Sequence, residues 1–274
     1  MINFFFDTAD EQYIQNAWAK LSPVTDRRCV SGITTNPNAF KKNNMTNLRQ
    51  WEKHLPILCE TVSKIRNDAQ GVVYVQAPNS NMSRIDVLRW AHHISKFSDG
   101  NTKLGLKIPP FKPILEIVDE LNSIMEVNVT GVADCSTALH CFTYDVRYVS
   151  IIPGRMEEKG LDAKSHIIYV NQRKKKGDVI TGSMRSLEGL RWVTECGTIP
   201  TIGTRVWELI FADLGVESFS ALKNIQQIKW DKFSPPVTKI STDLSIDFFS
   251  QMDSCGENVY EQFIGEDIPR PSQT

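Results

Sequence analysis

What this chain lacks narrows its class at once. Its six cysteines (Cys29, Cys59, Cys135, Cys141, Cys196 and Cys255) form no Cys-x-x-Cys pair and no small-scaffold spacing. That excludes a disulfide framework and fits a reducing, cytoplasmic setting. The five histidines show no zinc-ligand spacing; His92 and His93 are adjacent and point apart on a helix. No metal and no cofactor are therefore expected. Charge of one sign is missing too: 31 basic residues face 32 acidic ones, a net charge of -1. Nucleic acid and anionic membrane are thereby excluded as main partners. No apolar stretch approaches the length of a membrane span. The opening run Met1-Ile-Asn-Phe-Phe-Phe-Asp7 has neither a basic flank nor a small-residue cleavage site, so no secretory signal is read there. No repeat of solenoid period is found, and no Gly-rich phosphate loop follows the first apolar run.

What is present is alternation. The chain has 274 residues, 41% of them hydrophobic, enough for one large α/β domain or two small ones. Eight short apolar runs lie near 3–6, 29–33, 72–76, 103–108, 126–129, 148–152, 179–182 and 198–199, the last being the weakest. Amphipathic stretches separate them, near 11–20, 47–65, 84–97, 113–121, 136–142, 165–171, 187–196 and 205–214. Asp10 and Ser186 are suited to cap two of these. Strand–helix alternation implies parallel pairing with right-handed crossovers. Eight units in this length predict a closed (β/α)8 TIM-type barrel over residues 1–214, with a doubly wound open sheet as the alternative. Residues 215–274 form an extended C-terminal segment, too long for a closing helix alone, expected to pack on the barrel or on a neighbouring subunit of a homo-oligomer. The basic run Arg173-Lys-Lys-Lys176 reads as a solvated helix end.

A barrel enzyme carries its site at the C-terminal ends of its strands. Alternate strand residues share a face, so the exit residues can be sorted by parity. The first run exits at Asp7. The second exits at Thr34-Thr35-Asn36-Pro37, and the third at Gln76. Lys107 closes the fourth, above Gly105 and before Pro109-Pro110. Asn128 and Thr130 share a face of the fifth with Glu126. Ser150 lies on the sixth, followed by Gly154-Arg155. Thr181 and Ser183 are placed on one face of the seventh, opposite Ile180, with Arg185 beyond. Burial lowers a lysine's pKa and makes its amine able to attack a carbonyl. A lysine ringed by Asp, Asn, Gln and Thr suits Schiff-base chemistry on a carbonyl substrate. Asp7 is the candidate general acid/base. Asn36, Asn128 and Thr130 can hold sugar hydroxyls and a water. Arg155 and Arg185, beside Ser183, can clamp a phosphate with charge-assisted forks. Each residue also has a plainer use: Asn36 before Pro37 can shape a turn, and Ser183 can cap its loop.

In sequence order, Phe4-Phe-Phe-Asp-Thr-Ala-Asp10, Gly32-Ile-Thr-Thr-Asn-Pro37, Leu106-Lys-Ile-Pro109, Asn128-Val-Thr130, Tyr148-Val-Ser150 with Gly154-Arg155, and Gly182-Ser-Met-Arg185 resemble the strand-end motifs of the transaldolases. The resemblance spans about residues 3 to 214. It implies a (β/α)8 barrel and a class I enzyme related to the fructose-6-phosphate aldolases, acting on sugar phosphates in the pentose phosphate pathway. On it, Lys107 is the Schiff-base lysine and Asp7 the acid/base. Asn36 and Asn128 hold substrate, Thr130 positions water, and Arg155, Ser183 and Arg185 bind phosphate. Gln76 stands where transaldolases carry Glu and the aldolases Gln; Ile152 stands where they carry Phe and Tyr respectively. Transfer of a three-carbon unit is the expected activity. Simple aldol cleavage and a non-catalytic sugar-phosphate-binding or assembly barrel are the alternatives.

Overall fold

The computed structural model describes residues 3–67, 70–98, 100–214 and 241–266 of the chain. Eight parallel strands close into a barrel in sequence order, so the open-sheet alternative falls. The strands are β1 (Phe4–Asp7), β2 (Val30–Thr34), β3 (Gly71–Gln76), β4 (Thr102–Ile108), β5 (Glu126–Val132), β6 (Tyr148–Ile151), β7 (Asp178–Thr181) and β8 (Ile199–Gly203). Between them lie α1 (Glu11–Leu21), α2 (Pro37–Lys42), α3 (Leu48–Arg66), α4 (Arg84–Ser95), α5 (Lys112–Leu115), α6 (Val118–Asn122), α7 (Cys135–Cys141), α8 (Pro153–Glu158), α9 (Ala163–Arg173) and α10 (Leu187–Glu195); α11 (Thr204–Leu209) follows β8.

The helices begin where the sequence supplies caps. Asp10 accepts from Tyr13 N at 2.8 Å, Ser186 accepts from Gly189 N at 3.0 Å, and Asn47 with Gln50 forms a capping box. Each such cap is worth about 1 kcal/mol. The stretch expected as one helix over 113–121 is instead two, α5 and α6, with Ile117 between them outside helical geometry. The run Arg173–Lys176 ends α9 as expected, with Lys176 paired to Asp145 at 2.8 Å.

Alternation divides the core into two shells. Outward strand residues such as Phe4, Phe6, Val73, Leu106, Val127 and Val149 are buried under the helices. Inward, Phe5, Tyr74, Tyr148 and Ile180 form a separate apolar layer. Its three rings meet edge to face at centroid distances of 6.0, 5.9 and 5.6 Å, a geometry favoured by the ring quadrupole. Tyr74 donates to Glu126 at 2.6 Å. This layer is the floor on which the polar exit residues stand.

Within the C-terminal segment, residues 215–240 and 267–274 lie outside the described residues. Ser241–Gly265 is a helix, here called the terminal helix. It buries Leu244, Phe248, Phe249, Met252, Val259 and Phe263 along one face. Each such burial stabilises by about 1.5–3 kcal/mol. Polar anchors fix its position. Ser245 donates to Gly131 O at 2.8 Å. Asp253 accepts from Ser80 N and Oγ, both at 2.7 Å. Leu48 N donates to Gln262 at 2.9 Å. Gly131 follows the exit of β5's polar residues and Ser80 follows β3, so the helix lies across the C-terminal mouth of this chain's own barrel.

Candidate active site

Strand register makes neighbours of several sequence candidates. Gln76 on β3 pairs with Lys107 on β4, Lys107 pairs with Asn128 on β5, and Asp7 on β1 pairs with Thr34 on β2. A small cavity of ≈ 40 Å³ is lined by Asp7, Thr34, Asn36, Lys107, Thr130, Ser150, Ile152, Ser183 and Thr201. Lys107 is 5% exposed, and its Nζ donates to Thr35 O at 3.2 Å. Burial lowers its pKa from the ordinary value, opposed by the charge of Asp7. Burial likewise raises Asp7, opposed by Lys107 and by a hydrogen bond from Thr34 at 3.1 Å. Desolvation disfavours both charged forms, and each group partly offsets the other's cost.

Around Lys107, several polar atoms have no partner. Ser150 donates to Asn128 Oδ1 at 2.8 Å, which fixes the amide, yet Asn128 Nδ2 is buried and unbonded. The same is true of Oε1 of Gln76, the register partner of Lys107. Buried groups normally have partners. A donor and an acceptor left open beside a buried lysine can bond a polar molecule or a water. Among the described residues, no cluster of His, Cys, Asp or Glu is arranged to hold a metal ion.

A wider cavity of ≈ 540 Å³ opens above and shares Asp7, Asn36, Ser183 and Phe248 with the first. Arg155 and Arg185 both line it, with Lys42 and Arg205. Gly154 makes the pairing of the two arginines possible. A Cβ there would lie 1.7 Å from Ser183 O, so only glycine lets the loops after β6 and β7 touch. Arg185 Nε donates to Glu158 at 2.7 Å, a bond that holds Glu158 below its ordinary pKa. Asn36 has both of its sequence readings: its Oδ1 caps α2 from Ala39 N at 2.9 Å, and it lines both cavities.

Two expectations need correction. Thr181 does not face inward. Ile180 joins the inner apolar layer, so Thr181 points toward the helices and bonds Thr198 Oγ1 at 3.0 Å. Ser183 reaches the cavity because its backbone is left-handed, φ 58°, which breaks the two-residue parity assumed for the run. The eighth strand extends from Ile199 to Gly203 rather than ending at Ile199. That extension brings Thr201 into the inner cavity, where its Oγ1 lies 2.5 Å from Thr34 Oγ1. Sequence reasoning missed Thr201, and also Phe248 and Gln251 from the terminal helix. The spacing of Leu244, Phe248, Met252 and Val259 was the available signal for that helix.

A larger groove of ≈ 1030 Å³ lies between the ends of α1 and α3, at the opposite end of the strands from Lys107. Its Arg28 is paired with Asp26 and its Lys64 with Glu60.

The fold and these strand-end residues define a (β/α)8 barrel with a polar, lysine-centred mouth. No family model matches the chain, and no curated protein matches it in sequence. Solved structures similar to it include a mandelate oxidase carrying a monooxide FMN adduct, at 11% identity and TM-score 0.45, covering 95% of this chain and 76% of that one. Another is the 3,6-anhydro-D-galactonate cycloisomerase from Zobellia galactanivorans, at 8% identity and TM-score 0.46, covering 74% of this chain and 54% of that one. The barrel assignment rests on the strand order of the chain itself, not on these likenesses.

Proposed function

We propose that this chain is a Schiff-base enzyme of the transaldolase type, moving a dihydroxyacetone unit from a ketose phosphate to an aldose phosphate. The observation that carries the reading is Lys107: a buried amine, depressed in pKa, level with Gln76 and Asn128 and sharing its cavity with Asp7. The neutral amine attacks the ketose carbonyl, and loss of water gives an imine. Asp7 takes the proton of the C4 hydroxyl as the C3–C4 bond breaks. The bond's electron pair passes into the iminium, leaving an enamine on Lys107 and releasing an aldose phosphate. The enamine carbon then attacks an acceptor aldehyde, whose oxygen takes the proton back, and hydrolysis frees the new ketose. Asn128, fixed by Ser150, and Asn36 hold substrate hydroxyls. Thr130 and Gln76 hold the water. Arg155, Arg185 and Ser183 in the outer cavity take the phosphate.

Simple aldol cleavage is the second reading, favoured by Gln76, whose unbonded Oε1 is suited to a water. Against it, Ile152 in the inner cavity offers no hydroxyl to protonate the enamine. The deciding test is borohydride reduction in the presence of fructose 6-phosphate, followed by peptide mass spectrometry. A dihydroxyacetone-sized adduct on Lys107 is expected. Its absence, or an adduct on another lysine that survives Lys107→Ala, would refute the Schiff-base assignment.

A further inference from the structure

We propose that Gln251 of the terminal helix is a neutral stand-in for the anion on Arg155, so that the helix sets how tightly this mouth binds a phosphate. The inference rests on the reading of Arg155 as a phosphate ligand. Nε and Nη2 form one edge of a guanidinium, the edge that grips two oxygens of a carboxylate or phosphate side by side. On Arg155, half of that edge is taken. Nη2 donates to Gln251 Oε1 at 2.5 Å. The other half is open, since Nε is buried and has no partner. A carboxamide offers one oxygen where the edge can hold two. The Phe248 ring, with the guanidinium carbon 5.1 Å from its centroid, supports the fork from the same helix.

The helix itself is held in place. Ser245 on Gly131 and Asp253 on Ser80 tie it to the exits of β5 and β3. Gly256 packs so closely that a Cβ would lie 2.0 Å from Pro78 O. The Gln251 side chain is exposed and can turn into water without moving the backbone. An incoming phosphate thus displaces an amide oxygen from Nη2 and satisfies Nε for the first time. The displaced amide regains its hydrogen bonds from solvent. Gln251 competes with the anion and supplies it no contact. Being neutral, it gives way to a dianion; a carboxylate in its place would not.

The test is calorimetric titration of inorganic phosphate into the full-length wild type, Gln251→Ala, Gln251→Glu and Arg155→Ala, with borohydride trapping of unphosphorylated dihydroxyacetone on each. Freeing a charged donor from a neutral acceptor should tighten phosphate binding about three- to tenfold in Gln251→Ala, and Gln251→Glu should weaken it about tenfold or more. Arg155→Ala should lose the site. Weaker binding in Gln251→Ala would make Gln251 a phosphate ligand and overturn the inference, as would equal affinity in the wild type and both Gln251 variants. Trapping on Lys107 reports the Schiff-base reading separately. Unchanged phosphate affinities with intact trapping sink the inference alone; the expected shifts without any adduct sink the proposed chemistry alone.

Discussion

At the scale of single residues, the site buries two titratable groups whose charged forms their surroundings oppose. Lys107 has a folded pKa below its ordinary value, so the unfolded chain binds more protons in the window between the two, and stability rises with pH there. Asp7 has a folded pKa above its ordinary value, so the folded chain binds more protons in its own window, and stability falls with pH there. The charged form of each group carries a desolvation cost that the other's charge only partly offsets. Replacing the pair together, Asp7→Asn with Lys107→Met, should therefore stabilise the protein at neutral pH by about 1–4 kcal/mol, the range for removing a buried charged pair. Urea denaturation of the double variant checks this; a less stable protein would mean the pair is structural. The same depression of Lys107 predicts that borohydride trapping rises with pH to a midpoint below the ordinary lysine value of 10.5. Arg185 poses a different question, because it is exposed and salt-bridged to Glu158. Arg185→Ala should lower kcat/KM for a ketose phosphate roughly tenfold or more, a loss of about 1.5–3 kcal/mol, while hardly touching an unphosphorylated ketose. Equal losses on both would assign Arg185 a structural role. Most of these side chains were legible in the sequence because each closes an apolar run with the right parity. Thr181 was misread because one left-handed residue, Ser183, resets the count, and nothing in Gly182-Ser-Met announces it.

At the scale of elements, the touching loops after β6 and β7 carry the proposed phosphate end of the site. Gly154→Ala would drive a methyl into Ser183 O. The loops must part, at a cost of about 1–3 kcal/mol typical of overpacking, and Arg155 moves away from Arg185. KM for phosphorylated substrates should rise, while trapping of dihydroxyacetone on Lys107 should persist. A variant with unchanged KM would show that the loops need not touch. Elements varied in how well the sequence marked them. β4 and β5 were plain, since a continuous apolar face alternates with polar exits. β8 was nearly hidden. Pro200 interrupts Ile199-Pro-Thr-Ile-Gly203, and proline argues against a strand wherever its missing N–H is needed; Thr201 vanished with it. The terminal helix was obscured by its composition, since Ser, Asp, Gln and Asn fill the face that it turns to water.

At the scale of the whole molecule, one segment far along the chain completes a site built by the barrel. Phe248 lines both cavities and Gln251 bonds Arg155. Such long-range completion has no local signature, which is why strand-end reasoning could assemble the inner ring but not its cover. The proposed balance between transfer and cleavage also belongs to this scale. With Ile152 in place of a proton donor, the three-carbon unit should wait on Lys107 for an acceptor. Incubation with fructose 6-phosphate and erythrose 4-phosphate should yield sedoheptulose 7-phosphate, with little free dihydroxyacetone when the acceptor is omitted. Rapid dihydroxyacetone release without acceptor would place the chemistry on the aldolase side.

The aromatic floor has a kinetic corollary. Phe5, Tyr74 and Tyr148 seal the barrel below the lysine, so the reaction chamber is a cul-de-sac. On the proposed transfer, first product and second substrate would share one doorway. The aldose phosphate released in that reaction would leave past the arginines before the acceptor enters. Steady-state rates should therefore follow double displacement, with parallel lines in reciprocal plots and each aldose inhibiting competitively against the other. Intersecting lines would show that the acceptor binds before the first product has left.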